Sequence, residues 1–199
     1  MDSIQLTTSD GLQLPADLAM PAGAPRAGVV VCHPHPAYGG NRCNSVVDAL
    51  FRALPAAGFV ALRFDFRSGG GDGVAERLDV VAAIDALAAR TDAAIALAGY
   101  SFGASVVLTN DDDRVAAIVA IAPALSMMPA PAPSVPTLVL TPQHDQFCPP
   151  DVARPIVDTW DGCDFESIES TDHFLMGHTA AVAERVTAWF DARLRTAET

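Results

Sequence analysis

Short apolar runs that alternate with longer stretches of helical spacing leave this chain few ways to fold. Ala27–Cys32, Phe59–Phe64, Ala93–Ala98, Val115–Ala122 and Thr137–Thr141 are nearly free of charge, as in strands buried on both faces. Asn44–Ala57, Val74–Arg90 and Phe102–Thr109 read as helices. In the second of these, Val80, Val81, Ile84 and Leu87 recur at three-to-four spacing. The two prolines after Cys148 open a further helix, Phe165–Glu169 alternates like a strand, and His178–Leu194 carries Val182, Val186 and Phe190 on one face. Strand and helix in this alternation predict a mostly parallel central sheet covered by helices on both faces. Ahead of it, Ser3–Thr8 and Leu12–Ala19 flank Asp10-Gly11, which reads as a hairpin turn placing an antiparallel pair at one sheet edge. Pro21–Arg26 is a linker, and the Pro-rich Pro129–Pro136 is a surface connection. A length of 199 residues with 50% hydrophobic side chains suits one domain, residues 1–199, around one substantial core.

Charge and composition narrow the partners. The net charge is −12 and the lysines and arginines are scattered, so the chain repels phosphate backbones and no nucleic-acid partner is expected. Mean hydropathy is +0.26. Even so, the longest apolar stretch, Val115–Leu125, contains Pro123 and falls short of the ~18 residues of a membrane-spanning helix. No membrane association is expected. Met-Asp-Ser-Ile-Gln at the start lacks a basic, then apolar, secretory pattern, so the expectation is a soluble cytoplasmic protein. Cys32, Cys43, Cys148 and Cys163 show no C-x-x-C spacing; reduced thiols are expected and a zinc-cysteine site is not.

The sharpest motif is Gly99-Tyr100-Ser101-Phe102-Gly103, between an apolar strand and a helical segment. That context suits a nucleophile elbow, where the chain reverses so tightly that side chains two residues either side of the serine would collide. Glycine relieves the crowding at both places. Ser101 is therefore the candidate nucleophile. The plainer alternative is a glycine-flanked turn with an N-capping serine.

A serine hydroxyl needs a base to take its proton and a carboxylate to hold that base. In hydrolases built on such an elbow the order is serine, acid, histidine, each past the carboxyl end of a strand. Asp145, after Thr137–Thr141, is the candidate acid; His173, after Phe165–Glu169, is the candidate base. Asp172 is a rival acid, but adjacent residues seldom orient each other's side chains. His144 precedes the preferred acid, and His178 falls within the terminal helix.

The segment His33-Pro34-His35-Pro36-Ala37-Tyr38-Gly39-Gly40-Asn41 follows the first long strand. A backbone N–H from this position completes an oxyanion hole in such hydrolases. Pro34 and Pro36 have none, which leaves His35 as one candidate donor and Phe102, next after the serine, as the other. His33 reads as a residue that fixes the loop. His-x-His is also a metal-ligand spacing, to which His144 and Asp145 could add, but the prolines and a full serine triad make that reading unattractive. The glycine run Ser68–Gly73 lacks the Gly-Lys-Ser/Thr of a phosphate cradle and reads as a turn.

These landmarks together resemble the small, lidless bacterial α/β-hydrolases, distantly similar to dienelactone hydrolase, that carry His-Pro-His-Pro followed by Gly-Gly and Asn. The resemblance rests on His33–Asn41, Gly58–Arg67, Gly99–Gly103 and Asp172-His173-Phe174, and so covers most of the chain. It implies an α/β-hydrolase fold without a lid domain, Ser101 as nucleophile and His173 as base. Members of the group are mostly described as predicted hydrolases or esterases. Ser68–Gly73 is looser than the group's corresponding run, and this chain has serine where dienelactone hydrolase has cysteine.

The expected reaction is hydrolysis of a small-molecule acyl ester by a Ser101–His173–Asp145 triad, without cofactor or metal. The short span between Ala122 and Thr137 leaves no room for a helical lid, which favours small to medium acyl groups. Met127 and Met128 are candidates for an acyl pocket or for core packing. Peptidase, thioesterase and amidase activities stay open, as does a non-catalytic binding protein on the same fold. The oligomeric state is not legible.

Overall fold

The computed structural model describes residues 1–69 and 71–194; Gly70, within the glycine run read above as a turn, lies outside the described residues. Eight strands form one sheet: β1 (Asp2–Thr7), β2 (Gln13–Ala19), β3 (Ala27–Cys32), β4 (Phe59–Phe64), β5 (Ile95–Tyr100), β6 (Val115–Ile121), β7 (Thr137–His144) and β8 (Cys163–Asp172). Their order across the sheet is β1-β2-β4-β3-β5-β6-β7-β8. β1 and β2 pair antiparallel at one edge, β2 also meets β4 antiparallel, and every other neighbouring pair is parallel.

Among the described residues five α-helices cover the sheet: α1 (Ser45–Ala56), α2 (Glu76–Ala88), α3 (Phe102–Leu108), α4 (Pro150–Val157) and α5 (Thr179–Arg193). In β3 every residue is buried, yet the pleat sends successive side chains to opposite faces. Val29 and Val31 pack with Leu50, Leu54, Val186 and Phe190 of α1 and α5. Val30 and Cys32 pack with Ile84, Leu87, Val106 and Val157 of α2, α3 and α4. The sheet therefore separates two apolar layers, as its uniformly apolar strands require.

Two element ends differ from the sequence pattern in ways that matter for the site. β5 runs to Tyr100, because Gly99 and Tyr100 pair with Ala120 and Ile121 of β6. Ser101 therefore follows the last paired residue directly. β7 and β8 also pair beyond their apolar cores, from Thr137 with Cys163 as far as His144 with Asp172. Asp145 and His173 are thus the first residues past two adjacent strands. Asn44 sits outside α1 as its cap, its Oδ1 accepting the Val46 N–H at 3.0 Å. Among the described residues, 123–136 contains no helix, and no helix is long and apolar enough to cross a membrane.

Candidate active site

The turn from β5 into α3 holds Ser101 at φ 56° and ψ −116°, a left-handed conformation that costs a serine of order 1–3 kcal/mol. The Ser101 N–H donates to the Ile121 carbonyl at 2.9 Å, and its own carbonyl accepts from Ser105 N–H at 3.1 Å. Both flanking glycines are sterically required. A Cβ on Gly99 would lie 2.3 Å from the Gly103 carbonyl oxygen, and one on Gly103 would lie 2.6 Å from the carbonyl oxygens of Cys32 and His33. The second clash shows that Gly103 serves the approach of α3 to the end of β3 as well as the turn itself.

The structure brings Ser101, His173 and Asp145 together from three strand ends. His173 Nε2 lies 2.9 Å from Ser101 Oγ, and its Nδ1 lies 2.8 Å from Asp145 Oδ2. Asp145 is 4% exposed and His173 5%. The second Asp145 oxygen accepts the N–H groups of Phe147 at 2.8 Å and Cys148 at 3.0 Å, so both carboxylate oxygens are satisfied. That arrangement fixes the carboxylate's rotation and aims Oδ2 at the imidazole.

The rival residues sit elsewhere. Asp172 Oδ1 accepts the Phe174 N–H at 3.0 Å and its Oδ2 meets Gln146 Nε2 at 3.5 Å, so it shapes the turn that carries His173. His144 is exposed at the end of β7, and His178 occupies the N-cap position of α5 without a side-chain capping bond, its Nδ1 lying 3.0 Å from the Met176 carbonyl.

His33 and His35 have all four ring nitrogens engaged. His33 Nε2 accepts the Phe66 N–H at 2.9 Å and Nδ1 lies 2.5 Å from the Pro34 carbonyl, which fixes the neutral tautomer with its proton on Nδ1. Burial holds this imidazole below its ordinary value. His35 Nδ1 accepts from Ala37 N–H at 3.1 Å, and Nε2 lies 3.2 Å from the Gly71 carbonyl. Ligating a metal through either ring would break these bonds. Among the described residues no group of three or more His, Cys, Asp or Glu side chains could hold a metal ion.

The His35 ring packs on that of Phe102 with centroids 4.7 Å apart, so the two residues whose N–H groups are the candidate oxyanion donors touch through their side chains. Among the described residues, neither the His35 nor the Phe102 backbone N–H donates to another protein group. Met127 is exposed, whereas Met128 is partly buried against the α2–α3 apolar layer.

Two residues missed by pattern reading hold His173 from behind. The Tyr100 hydroxyl donates to the His173 carbonyl at 2.8 Å. Gln146 Oε1 accepts the His173 N–H at 3.2 Å. Tyr100 fills a variable slot of the elbow and Gln146 simply follows the acid, so neither carries a signal of its own. The four cysteines are unpaired, and burial raises the Cys163 thiol to about 12.

No protein-family model matches the chain. Among curated proteins it is similar to the uncharacterized protein RP471 of Rickettsia prowazekii (strain Madrid E), 29% identical over 189 residues, spanning 83% of this chain and 79% of that one. Two solved structures superpose over nearly the whole length. One is an alpha-beta serine hydrolase homologue from Coxiella burnetii, at 26% identity and TM-score 0.81, covering 94% of this chain and 96% of the other. The second is XC6422 from Xanthomonas campestris, described as an a/b serine hydrolase without lid, at 25% identity and TM-score 0.83, covering 100% and 96%. With its sheet order, edge hairpin and flanking helices matching theirs, the chain has the α/β-hydrolase fold without a lid domain.

Proposed function

We propose that this protein is a serine hydrolase that cleaves small to medium acyl esters through an acyl-enzyme. The observation that carries the reading is the unbroken run of hydrogen bonds from Asp145 through His173 to Ser101, ending on a serine in a strained elbow. The serine-hydrolase descriptions of two relatives at 25–26% identity support it.

In the proposed cycle, Ser101 Oγ bonds to the ester carbonyl carbon as His173 Nε2 takes its proton. The carbonyl electron pair moves onto oxygen, where the N–H groups of Phe102 and His35 are the proposed donors. Asp145 stabilises the imidazolium and keeps Nδ1 protonated. Collapse of the intermediate breaks the bond to the alcohol oxygen, which takes the proton from Nε2. Water, deprotonated by His173, then cleaves the acyl-enzyme, and Nε2 returns a proton to Ser101. Substrate and water alone balance the reaction. The helix-free span 123–136 supports an open cleft suited to short acyl groups.

A fluorophosphonate probe with mass mapping of the adduct tests the reading. The expected adduct is on Ser101, and Ser101→Ala should lose ester hydrolysis by about a thousandfold or more while keeping its circular dichroism. Acetyl and butyryl p-nitrophenyl esters should be cleaved faster than palmitoyl. A wild-type chain that neither labels nor turns over esters would be a binding protein instead.

A further inference from the structure

We infer that Phe147 and Phe174 form the binding surface for an apolar, preferably aromatic, alcohol portion of the substrate; the inference rests on the acyl-transfer reading above. Nine phenylalanines occur in the chain. Seven are buried or half-buried, and only Phe147 and Phe174 are exposed, at 45% and 57%. Both lie against the same imidazole. The Phe147 ring centroid is 4.6 Å from that of His173 at an interplanar angle of 71°, and the Phe174 centroid is 5.8 Å away at 89°.

Single exposed apolar residues are ordinary on a protein surface. Two aromatic rings flanking one imidazole are not scattered singles. Their backbones are also pinned. Phe147 donates its N–H to Asp145 Oδ1 at 2.8 Å, and its carbonyl accepts from Ser126 Oγ at 2.7 Å. Phe174 donates its N–H to Asp172 Oδ1 at 3.0 Å. The exposed rings therefore stand on fixed supports beside the proposed base.

The chemistry assigns the half of the substrate they would meet. When the tetrahedral intermediate collapses, the departing alcohol oxygen must be within hydrogen-bond reach of His173 Nε2. Its carbon skeleton then lies over the groups around the imidazole, while the acyl carbon is bonded to Ser101 and its oxygen faces the Phe102 and His35 N–H groups. An apolar alcohol covers ring surface that is otherwise in water, whereas methanol covers almost none. That contact lasts until the alcohol leaves, so it is read in kcat/KM for acylation.

Benzyl acetate and methyl acetate test this, because they share the acyl group and their alcohols are nearly equal in acidity. The wild-type chain should prefer benzyl acetate by about tenfold or more in kcat/KM. In Phe147→Ala/Phe174→Ala the preference should collapse to near unity, and Phe174→Tyr should retain it. Equal rates in wild type, or a double variant that loses rate on both esters alike and keeps the ratio, would overturn the alcohol site. In either case Ser101 labelling would leave the hydrolase reading standing. A wild-type chain that neither labels nor cleaves either ester would overturn both.

Discussion

The Tyr100 hydroxyl donates to the carbonyl oxygen of His173 at 2.8 Å, and the two rings stack with centroids 5.7 Å apart. Burial first, then the nearby Asp145 and Asp172 carboxylates, push the phenol's pKa up, so it remains a donor. The residue before the proposed nucleophile thereby positions the proposed base. Tyr100→Phe is expected to lower kcat for p-nitrophenyl butyrate about tenfold with little change in KM, since it loosens the imidazole without touching substrate. Steady-state kinetics on the two proteins checks this. A loss of thermal stability alone, with kcat intact, would make Tyr100 a packing residue.

Gly99 faces the backbone of Gly103, not a side chain that could swing away. Gly99→Ala should therefore destabilise by about 3 kcal/mol, lowering Tm by roughly 6–12 °C. Gly11→Ala, where no atom lies within 4 Å of the added Cβ, meets only the strain of φ 89° and should cost less. Calorimetry on the pair separates clash from backbone strain.

Arg67 bridges the hairpin turn to α2, with Nη1 2.8 Å from Asp10 Oδ2 and Nη2 2.8 Å from Asp79 Oδ1. Asp79 is fully buried. Arg67→Met should cost about 3–5 kcal/mol by leaving that carboxylate without its cation. Arg67→Met/Asp79→Asn, which removes the charge but keeps an acceptor for the backbone N–H of residue 67, should recover much of the loss. Urea unfolding measures both. The hydrogen bond from Arg67 is the main cause that lowers Asp10 to about 2. A folded value below the unfolded one means the contribution is present above the unfolded value near 3.8 and is lost as pH falls through about 2. Asp10→Asn should accordingly flatten the acid limb of a Tm–pH profile.

His33 gives a second pH dependence of the same sign. Its folded value lies below the ordinary 6.5, so the unfolded chain takes up the extra proton first on acidification. Stability from this group is complete above about 6.5, and declines as pH falls toward the folded value. Thermal melts from pH 8 to 5 should show a steeper decline for wild type than for His33→Gln. Matching slopes would remove His33 from the account.

Two strands buried on both faces were readable end to end in the amino-acid pattern. β5 is equally buried but runs two residues past the Ala93–Ala98 of that pattern, because Gly99 and Tyr100 belong to the turn motif and still pair with β6. Ala27–Cys32 and Phe59–Phe64 were legible to the residue, because hydrophobicity changes sharply at each end. The ends of β7 and β8 were not, since Gln143, His144 and Ser170 extend them with polar, exposed side chains held by pairing and by the bond from Ser170 N–H to Gln143 Oε1 at 2.9 Å. Ser101 stood out because two glycines mark a steric demand, and Asp145 and His173 because each follows a strand. Tyr100, Gln146, Phe147 and Phe174 could not be found that way. Their contacts depend on how loops distant along the chain converge around one imidazole.

Asp145 and His173 end neighbouring strands, whereas Ser101 ends a strand on the far side of β6. Gln143 of β7 accepts from Ser170 of β8 and Gln146, past β7, accepts from His173, so acid and base form one mechanical unit. Loosening the β8 margin of the sheet would carry that unit away intact. Two links to the end of β5 would then part, the 2.9 Å contact of His173 with Ser101 and the 2.8 Å bond from the Tyr100 hydroxyl, which would disarm the proposed centre while leaving the remaining strands paired.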